Sequence, residues 1–328
     1  MRVHITFIKN RHTKKLLRTS LLTAAVLLIS ACNYLQPAVT PTPTILEKPS
    51  VALVLGGGGA KGFAHVGVIK TLEENGITPT LVVGTSVGSL VGSLYASGYT
   101  PSQLEHLALT TPDSELTDFV LSNQGFIEGI KLKNFINAKV GGRPIESFPI
   151  TFAAIAAEKH TLKKTVFTEG DAGLAVQASC SVPNIFIAPR IPGNGGKKYV
   201  DGGVVSLVPV DSARDLGADI VIAIDVTVPT STPNPTLASI TSLSSFWGLL
   251  ENNLAVNVTG TANSRSSGMR NERDRADIVI IPNVGHISSL DTSQRQALMT
   301  AGTQATTPQI NAIKQLIKEK TTSKYAIL

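Results

Sequence analysis

A short apolar run that passes directly into glycines, VALVLGGGGAKG at residues 51–62, constrains the fold of this 328-residue chain more than any other feature. Five successive apolar residues that stop at a glycine are typical of a strand buried on both faces, as in a parallel sheet. After the glycines, residues 60–74 carry apolar side chains at helical spacing up to Asn75-Gly76, which predicts a helix. A strand, a glycine-rich loop and a helix in this order predict an α/β fold.

The alternation of buried strands and helices continues along the chain. Further strands are predicted at 81–84, 149–158, 161–170, 197–203, 218–226 and 277–282, and helices at 86–98, 171–180, 208–217 and 293–320. We therefore expect one α/β domain over residues 51–328, with a mostly parallel central sheet and helices on both faces. Residues 229–275 are rich in Ser, Thr and Asn, and we expect surface loops and helices there.

The positive charge of the chain belongs to its first residues. The net charge is +6, but residues 1–31 hold six Lys or Arg and no Asp or Glu, so the remainder is neutral and gives no indication of nucleic-acid binding. These basic residues precede the apolar stretch LLTAAVLLISA at 21–31, which is shorter than the roughly 20 residues of a bilayer span. The pattern predicts a secretory signal peptide over residues 1–31.

The end of this signal sequence, Ile29-Ser30-Ala31-Cys32, resembles the lipobox of bacterial lipoproteins. The resemblance implies cleavage before Cys32 and acylation of that residue; the alternative is an ordinary signal peptide with an incidental cysteine. Residues 32–50 would then be a lipidated cysteine followed by a Pro- and Thr-rich tether, with a reach of roughly 60 Å. Asn33 stands where many lipoproteins of the inner membrane have aspartate. We therefore expect the protein to be anchored in the cell envelope and, in a cell with two membranes, in the outer membrane.

The loop sequence GGGAKG at 57–62 matches the G-x-G-x-x-G pattern of dinucleotide-binding folds, but its surroundings do not. A dinucleotide site needs an acidic residue at the end of the second strand, and the predicted strand at 81–84 ends without one. The G-K-[ST] sequence of a P-loop is missing too. We therefore expect no nucleotide, and predict that an oxyanion is bound by the N–H groups of Gly57, Gly58 and Gly59.

The second predicted strand ends in Gly84-Thr85-Ser86-Val87-Gly88, a G-x-S-x-G sequence at a strand-to-helix turn. In the nucleophile elbow of hydrolases, such a turn exposes a serine hydroxyl at a helix N-terminus. Glycines two residues before and two residues after the serine avoid Cβ clashes with the adjoining strand and helix. Ser86 is therefore the predicted nucleophile, and the alternative is a glycine-rich turn that only packs the helix against the sheet.

The residues alone leave the base for this serine open. The sequence Tyr199-Val200-Asp201-Gly202-Gly203 places a carboxylate at the end of a predicted strand, where Asp201 would act as a base or only form a turn. His286 follows a strand, as the histidine of an α/β-hydrolase does, whereas His65 lies inside the first predicted helix and is expected to pack or to point outward. A carboxylate base would need a partly desolvated site that raises its pKa.

These three elements, in this order, resemble the patatin-like phospholipase family. The family patterns G-G-G-x-[KR]-G, G-x-S-x-G and D-G-[AG] match Gly57–Gly62, Gly84–Gly88 and Asp201–Gly203, and the segment Ala178–Pro183 resembles the bacterial branch. The resemblance is strong over residues 51–226 and loose beyond them. It implies a dyad of Ser86 and Asp201 with no histidine, no metal and no cofactor. The remaining motif glycines are Gly62, Gly84, Gly88, Gly202 and Gly203.

A patatin-like domain implies hydrolysis of carboxylic esters with release of free fatty acid. An anchor that keeps the domain beside a membrane makes phospholipids or lysophospholipids the leading substrates. The alternatives are soluble esters or thioesters, or a non-enzymatic envelope lipoprotein that contacts a partner through residues 229–275. We expect no nucleic-acid partner, and the sequence assigns no oligomeric state.

Three further features allow two interpretations each. Lys61 would screen a phosphate on the substrate or pair with a nearby carboxylate. Cys180 is the only cysteine besides Cys32, and we expect it to pack near the site rather than to react. The apolar residues around Trp247 would form either core or a lip that contacts lipid.

Overall fold

Eight strands and nine α-helices are formed by the residues that the computed structural model describes, 48–193, 195–228 and 262–325. The strands are β1 (Val51–Leu55), β2 (Leu81–Thr85), β3 (Thr151–Glu158), β4 (Lys164–Phe167), β5 (Arg190–Ile191), β6 (Lys197–Asp201), β7 (Ile220–Ile224) and β8 (Ile278–Ile280). The helices are α1 (Phe63–Glu74), α2 (Val87–Ala96), α3 (Pro101–Thr110), α4 (Ile130–Lys139), α5 (Ala172–Ser179), α6 (Val210–Asp215), α7 (Ala262–Arg273), α8 (Arg295–Thr306) and α9 (Ile310–Tyr325). No helix among these residues is long and apolar enough to cross a bilayer. The predictions for the signal peptide, Cys32, the tether up to residue 47 and Trp247 concern residues outside the described ranges.

The described strands form one sheet in the order β5-β6-β3-β2-β1-β7-β8, with β4 paired to β3. Strands β1, β2, β3, β7 and β8 are parallel, whereas β4 and β6 run antiparallel to β3. The prediction of an α/β fold with a mostly parallel sheet is therefore confirmed.

The central strands are apolar throughout because both faces of the sheet are covered. In β1, Val51, Leu53 and Leu55 belong to one hydrophobic core, and Ala52 and Val54 belong to the other. Helices α1, α2, α3 and α8 contribute to the first core, and α6 contributes to the second. The run VALVL that opened the sequence analysis is thus a strand between two cores.

Helices α1 and α8 cross in close contact because each has a glycine where the other approaches. A Cβ atom on Gly67 would lie 1.9 Å from the carbonyl oxygen of Met299, and one on Gly302 would lie 2.0 Å from that of Ala64. Since α1 follows the glycine-rich loop directly, this contact also holds the far end of that loop in place.

The parallel strands bring the loop and the serine turn to one edge of the sheet. Leu55 at the end of β1 pairs with Gly84 of β2, so the loop after β1 and Ser86 after β2 are neighbours. Strand β6 arrives from the opposite direction, and its last residue, Asp201, pairs with Ala156 of β3. A short strand carries no sign of its direction in sequence, so the antiparallel course of β6 was not predicted.

Candidate active site

The glycine-rich loop between β1 and α1 has two N–H groups that remain available to an anion. The Gly57 N–H donates to the carbonyl of Leu207 at 3.1 Å, so this predicted oxyanion donor is already engaged. Within the described residues, the N–H groups of Gly58 and Gly59 make no hydrogen bond. Successive free N–H groups of this kind form an anion-binding concavity. Two of the three predicted donors are therefore free to act.

The loop glycines lie where a side chain would collide with its surroundings. A Cβ atom on Gly57 would come within 3.2 Å of the Ser86 Cβ, and one on Gly62 would come within 2.3 Å of the side chain of Val87. Gly59 has a φ of +57°, which favours glycine, and a Cβ atom on it would lie 2.3 Å from the carbonyl oxygen of Ser289. Glycine at these positions lets the loop lie directly against the serine turn.

Ser86 occupies a strained turn between β2 and α2. Its φ of 55° and ψ of −129° lie in a region that residues with a side chain rarely adopt. The flanking glycines permit the turn, since a Cβ atom on Gly84 would lie 2.4 Å from the Gly88 oxygen and one on Gly88 would lie 2.0 Å from the Leu55 oxygen. The elbow geometry predicted for this motif is present, and the serine lies at the N-terminus of α2, where the helix dipole favours negative charge.

A second serine, Ser179 at the end of α5, fixes the backbone of this turn. Its hydroxyl accepts a hydrogen bond from the Ser86 N–H at 2.9 Å and donates one to the carbonyl of Ile155 at 2.6 Å. Both serines are buried. The Ser179 hydroxyl therefore connects the strained turn to β3 and stabilises it.

We expect the substitution Ser179→Ala to slow the reaction of Ser86 with a fluorophosphonate serine reagent about tenfold. The substitution leaves the buried Ser86 N–H without its partner and removes a bond to the Ile155 carbonyl, which costs roughly 1–3 kcal/mol, and the turn can relax. Ser97→Ala is the matched control, because Ser97 is also buried and its hydroxyl, just after the end of α2, donates only to the carbonyl of Leu94. Equal labelling rates for the two variants, at equal thermal stability, would contradict the role given to Ser179.

Asp201 is fully buried at the end of β6. Its Oδ1 accepts a hydrogen bond from the Gly203 N–H at 2.7 Å, and its Oδ2 has no hydrogen-bond partner in the described part of the chain. Burial raises the pKa of Asp201 to about 7, opposed by the nearby Ser86 hydroxyl and by the Gly203 N–H. The Ser86 hydroxyl is thus close enough to lower the pKa of the Asp201 carboxyl, although it makes no hydrogen bond to Oδ2. A pKa near 7 suits a general base.

The two histidines considered as bases have other surroundings. His65 is fully buried, and its Nε2 lies 2.8 Å from the carbonyl of Gly56, so Nε2 carries the hydrogen and donates it. Burial lowers the pKa of His65 to about 4, so the ring is neutral, and the predicted packing role is confirmed. His286 is exposed on the loop after β8. Over the described ranges, no cluster of three His, Cys, Asp or Glu side chains is suited to a metal ion.

Lys61 and Cys180 both lie close to this site. Lys61 is buried, which lowers its pKa, while the charge of Asp225 raises it. Asp225 forms an ion pair with Arg273 at 3.0 Å. Lys61 therefore has the Asp225 carboxylate nearby, but within the described residues the two are not directly bonded. The Cys180 thiol is buried 3.9 Å from the Ser89 hydroxyl, and burial raises its pKa, so it remains a protonated packing group, as expected.

Two residues that hold segments of the candidate site were not predicted from the sequence. Ser179 was noted only as part of a segment that resembles the bacterial branch of a family, and no role was given to it. Glu272 in α7 accepts hydrogen bonds from the hydroxyl of Ser206 at 2.9 Å. Both contacts join residues far apart in the chain, and local sequence patterns carry no signal for such pairs.

Comparison with known families finds one match that spans the site. A family model described as patatin-like phospholipase matches residues 53–214, which include both Ser86 and Asp201. The glycine-rich loop, the serine turn and the Asp201–Gly203 segment therefore all lie inside the matched region.

The curated relatives are larger proteins. Human patatin-like phospholipase domain-containing protein 6 is 32% identical over 209 residues, which are 62% of this chain and 15% of that protein. An uncharacterized NTE family protein from Mycobacterium tuberculosis is 30% identical over 194 residues, which are 57% of this chain and 53% of the relative. The chain spans about one sixth of the length of the animal relatives and about half of the mycobacterial one.

A similar fold has been solved crystallographically. The structure of VipD from Legionella pneumophila superposes with a TM-score of 0.55 over 84% of this chain and 67% of that chain, at 15% sequence identity. At such low identity the likeness concerns the fold alone, and it agrees with the α/β architecture described above.

Proposed function

We propose that the chain is a serine acyl hydrolase with Ser86 as nucleophile and Asp201 as base, in keeping with the match of residues 53–214 to the patatin-like phospholipase family model. One observation carries the proposal: a buried carboxyl, with its pKa raised to about 7, lies beside the serine of a strained strand-to-helix turn. The free N–H groups of Gly58 and Gly59 supply the donors that a serine hydrolase needs for its oxyanion.

In the first step, Ser86 Oγ forms a bond to the ester carbonyl carbon, and its proton passes to Asp201 Oδ2. This is the carboxyl oxygen that has no hydrogen-bond partner in the described residues. The carbonyl π electrons move onto oxygen, which becomes an oxyanion. The Gly58 and Gly59 N–H groups donate to it, and each such donor lowers the barrier by roughly 3 kcal/mol. Gly57 contributes by its close approach to Ser86 rather than as a donor.

In the second step, the oxyanion re-forms the carbonyl, and the bond between the carbonyl carbon and the alcohol oxygen breaks. Protonated Asp201 gives its proton to that oxygen, so the alcohol or lysolipid leaves neutral at this atom. Water then attacks the acyl group on Ser86 while Asp201 takes its proton. Collapse of the second tetrahedral intermediate releases the fatty acid and returns the proton to Ser86 Oγ.

For the substrates, we propose membrane phospholipids or lysophospholipids. The family model that matches residues 53–214 is named for phospholipase activity, and the predicted lipid anchor would keep the domain beside its substrate. The test compares fatty-acid release from phosphatidylcholine vesicles and lysophosphatidylcholine with hydrolysis of a short-chain p-nitrophenyl ester. Hydrolysis of the soluble ester alone would identify a carboxylesterase or thioesterase, and no hydrolysis of any substrate would refute the enzyme.

We also propose that Cys32 carries the lipid that attaches the protein to the cell envelope, facing the periplasm from the outer membrane in a cell with two membranes. The proposal rests on the apolar stretch at 21–31 and on the small residues before the cysteine. The full-length variant Cys32→Ser is expected to appear in the soluble fraction after cell lysis, while wild type sediments with membranes. Cys180→Ser is the control, because that thiol is buried in the domain. A Cys32→Ser protein that still sediments with membranes would show another mode of attachment.

A further inference from the structure

The turn Ser206–Leu207, here named the hub turn, is bonded to all three segments that carry the proposed chemistry. Its Ser206 carbonyl accepts a hydrogen bond at 2.9 Å from the side chain of Thr85, the residue before the nucleophile. Its Leu207 carbonyl accepts one at 3.1 Å from the Gly57 N–H in the oxyanion loop. The Ser206 N–H donates at 2.9 Å to Gly202, the residue after the base.

The side chain of Leu207 packs at the same junction. Its Cδ1 lies 3.0 Å from the position that a Cβ would take on Gly57 and 3.2 Å from the corresponding position on Gly203. Leu207 is buried, so this contact leaves little free space between the oxyanion loop and the loop that follows the base. A shift of the hub turn would therefore move both loops.

The hub turn is held from outside by Glu272 near the end of α7. The Ser206 hydroxyl lies 2.9 Å from each carboxylate oxygen, and the Asp211 N–H donates to Oε1 at 3.3 Å. Glu272 is 7% exposed and Ser206 is 1% exposed, and the Lys164 ammonium lies 3.9 Å from Oε1. A buried carboxylate costs free energy unless donors converge on it, as they do here. The Ser206 hydroxyl, in turn, has both of its bonds to this one side chain.

We propose that Glu272 is a positioning residue for the reaction: by holding Ser206, it keeps the nucleophile, the oxyanion loop and the base at their working distances. This inference rests on the proposed function. Glu272 touches none of the reacting atoms and acts only through the hub turn. Such an indirect role is physically sufficient, since a displacement of about 1 Å at a reacting group can cost about a hundredfold in rate.

The opposing interpretation is that Glu272 only stabilises the packing of α7. The ion pair between Arg275 and Asp211 supplies the comparison. Arg275 lies two residues after the end of α7, and its partner Asp211 lies in α6, so the pair joins the same end of α7 to α6. Both of its side chains are about half exposed, at 52% and 41%, and neither side chain bonds to the hub turn. A variant of Arg275 therefore loses a contact of α7 without freeing Ser206.

The experiment uses the full chain and a soluble p-nitrophenyl ester, with active sites counted by fluorophosphonate labelling. Glu272→Ala is expected to lower kcat per labelled site about thirtyfold with KM changed less than about twofold, and Ser206→Ala is expected to lower it about tenfold. Glu272→Gln keeps an acceptor for the Ser206 hydroxyl and should remain within about fivefold of wild type. Arg275→Ala should leave kcat per site unchanged.

A double variant, Glu272→Ala with Ser206→Ala, decides whether the two residues act as one unit. Its kcat should be no lower than that of Glu272→Ala, because both substitutions remove the same contact. The proposal is overturned if the two losses multiply, or if Glu272→Ala reduces only the number of labelled sites while kcat per site stays at the wild-type value. Should Glu272→Ala fail to fold, wild-type kcat per site in Ser206→Ala overturns it equally, because that variant is expected to lose about tenfold.

The fluorophosphonate reaction separates this proposal from the proposed function. A wild-type protein that hydrolyses none of the esters tested but is labelled at Ser86 would refute the proposed substrates, and the rate of that labelling would still report the geometry of the turn. The rate of labelling is then expected to fall in Glu272→Ala and not in Arg275→Ala. Equal rates in these two variants would overturn the positioning role whatever the substrate.

Discussion

Replacing Ser86 with alanine is expected to lower the rate of ester hydrolysis by at least about ten-thousandfold, because no acyl-enzyme can then form. The oxyanion donors and Asp201 remain in place, so a small residual acceleration over water is expected. Fatty-acid release from vesicles and hydrolysis of a soluble ester should fall together, since both pass through the same nucleophile. Covalent labelling by a fluorophosphonate should disappear as well.

Ser93→Ala provides the matched control for this experiment. Ser93 is buried in the same helix, α2, and its hydroxyl bonds only to the carbonyl of Leu90 one turn earlier. Its activity and labelling should stay within about twofold of wild type, because a helix tolerates the loss of such a bond. Activity in Ser86→Ala near that of Ser93→Ala would show that another residue is the nucleophile.

Asp201→Asn is expected to lower kcat/KM by about a thousandfold and to change its pH dependence, because an amide cannot accept the serine proton. In wild type, burial raises the pKa of Asp201 to about 7, so kcat/KM should rise as pH increases through about 7 and then level off. The residual activity of the variant should show no such rise. A wild-type profile of kcat/KM that is flat from about pH 5 to about pH 9 would contradict a base with this pKa.

The same buried carboxyl predicts that Asp201→Asn stabilises the fold at alkaline pH. The pKa of Asp201 is raised from 3.8 to about 7 in the folded state, so its ionisation there costs about 4 kcal/mol relative to the unfolded chain. This cost is absent below pH 3.8, develops as the pH rises towards 7, and is constant above that. The melting temperature of the variant should exceed that of wild type at pH 8 and match it at pH 4. Equal melting temperatures at pH 8 would show that Asp201 is not desolvated.

Much of this site was readable from the sequence because its motifs are local. The turn around Ser86 needs glycine at fixed offsets, and the structure shows the reason: a Cβ on Gly84 or Gly88 would collide with backbone oxygens. The apolar run of β1 likewise follows from its burial on both faces. In each case the physical requirement falls on residues a few positions apart, so it leaves a pattern.

The remaining features depend on long-range contacts and leave no pattern. The sequence predicted the Gly57 N–H as an oxyanion donor, but in the structure it donates to the carbonyl of Leu207, a residue 150 positions away in the chain. The Ser86 N–H is satisfied by a hydroxyl of α5, and Ser206 is satisfied by a carboxylate of α7. Nothing near these residues in sequence marks their partners, because the pairing is set by how the helices dock on the sheet.

The antiparallel course of β6 also determines when, during folding, the site becomes complete. The β1–β2 pairing that brings the glycine-rich loop beside the serine turn joins nearby parts of the chain, with Leu55 opposite Gly84, so this contact is inexpensive in chain entropy. The base joins only after the chain has passed through β3 and returned along β6 to Asp201. A chain ordered only as far as β3 therefore holds the proposed nucleophile without the proposed base, and the proposed dyad is complete only when β6 has paired with β3.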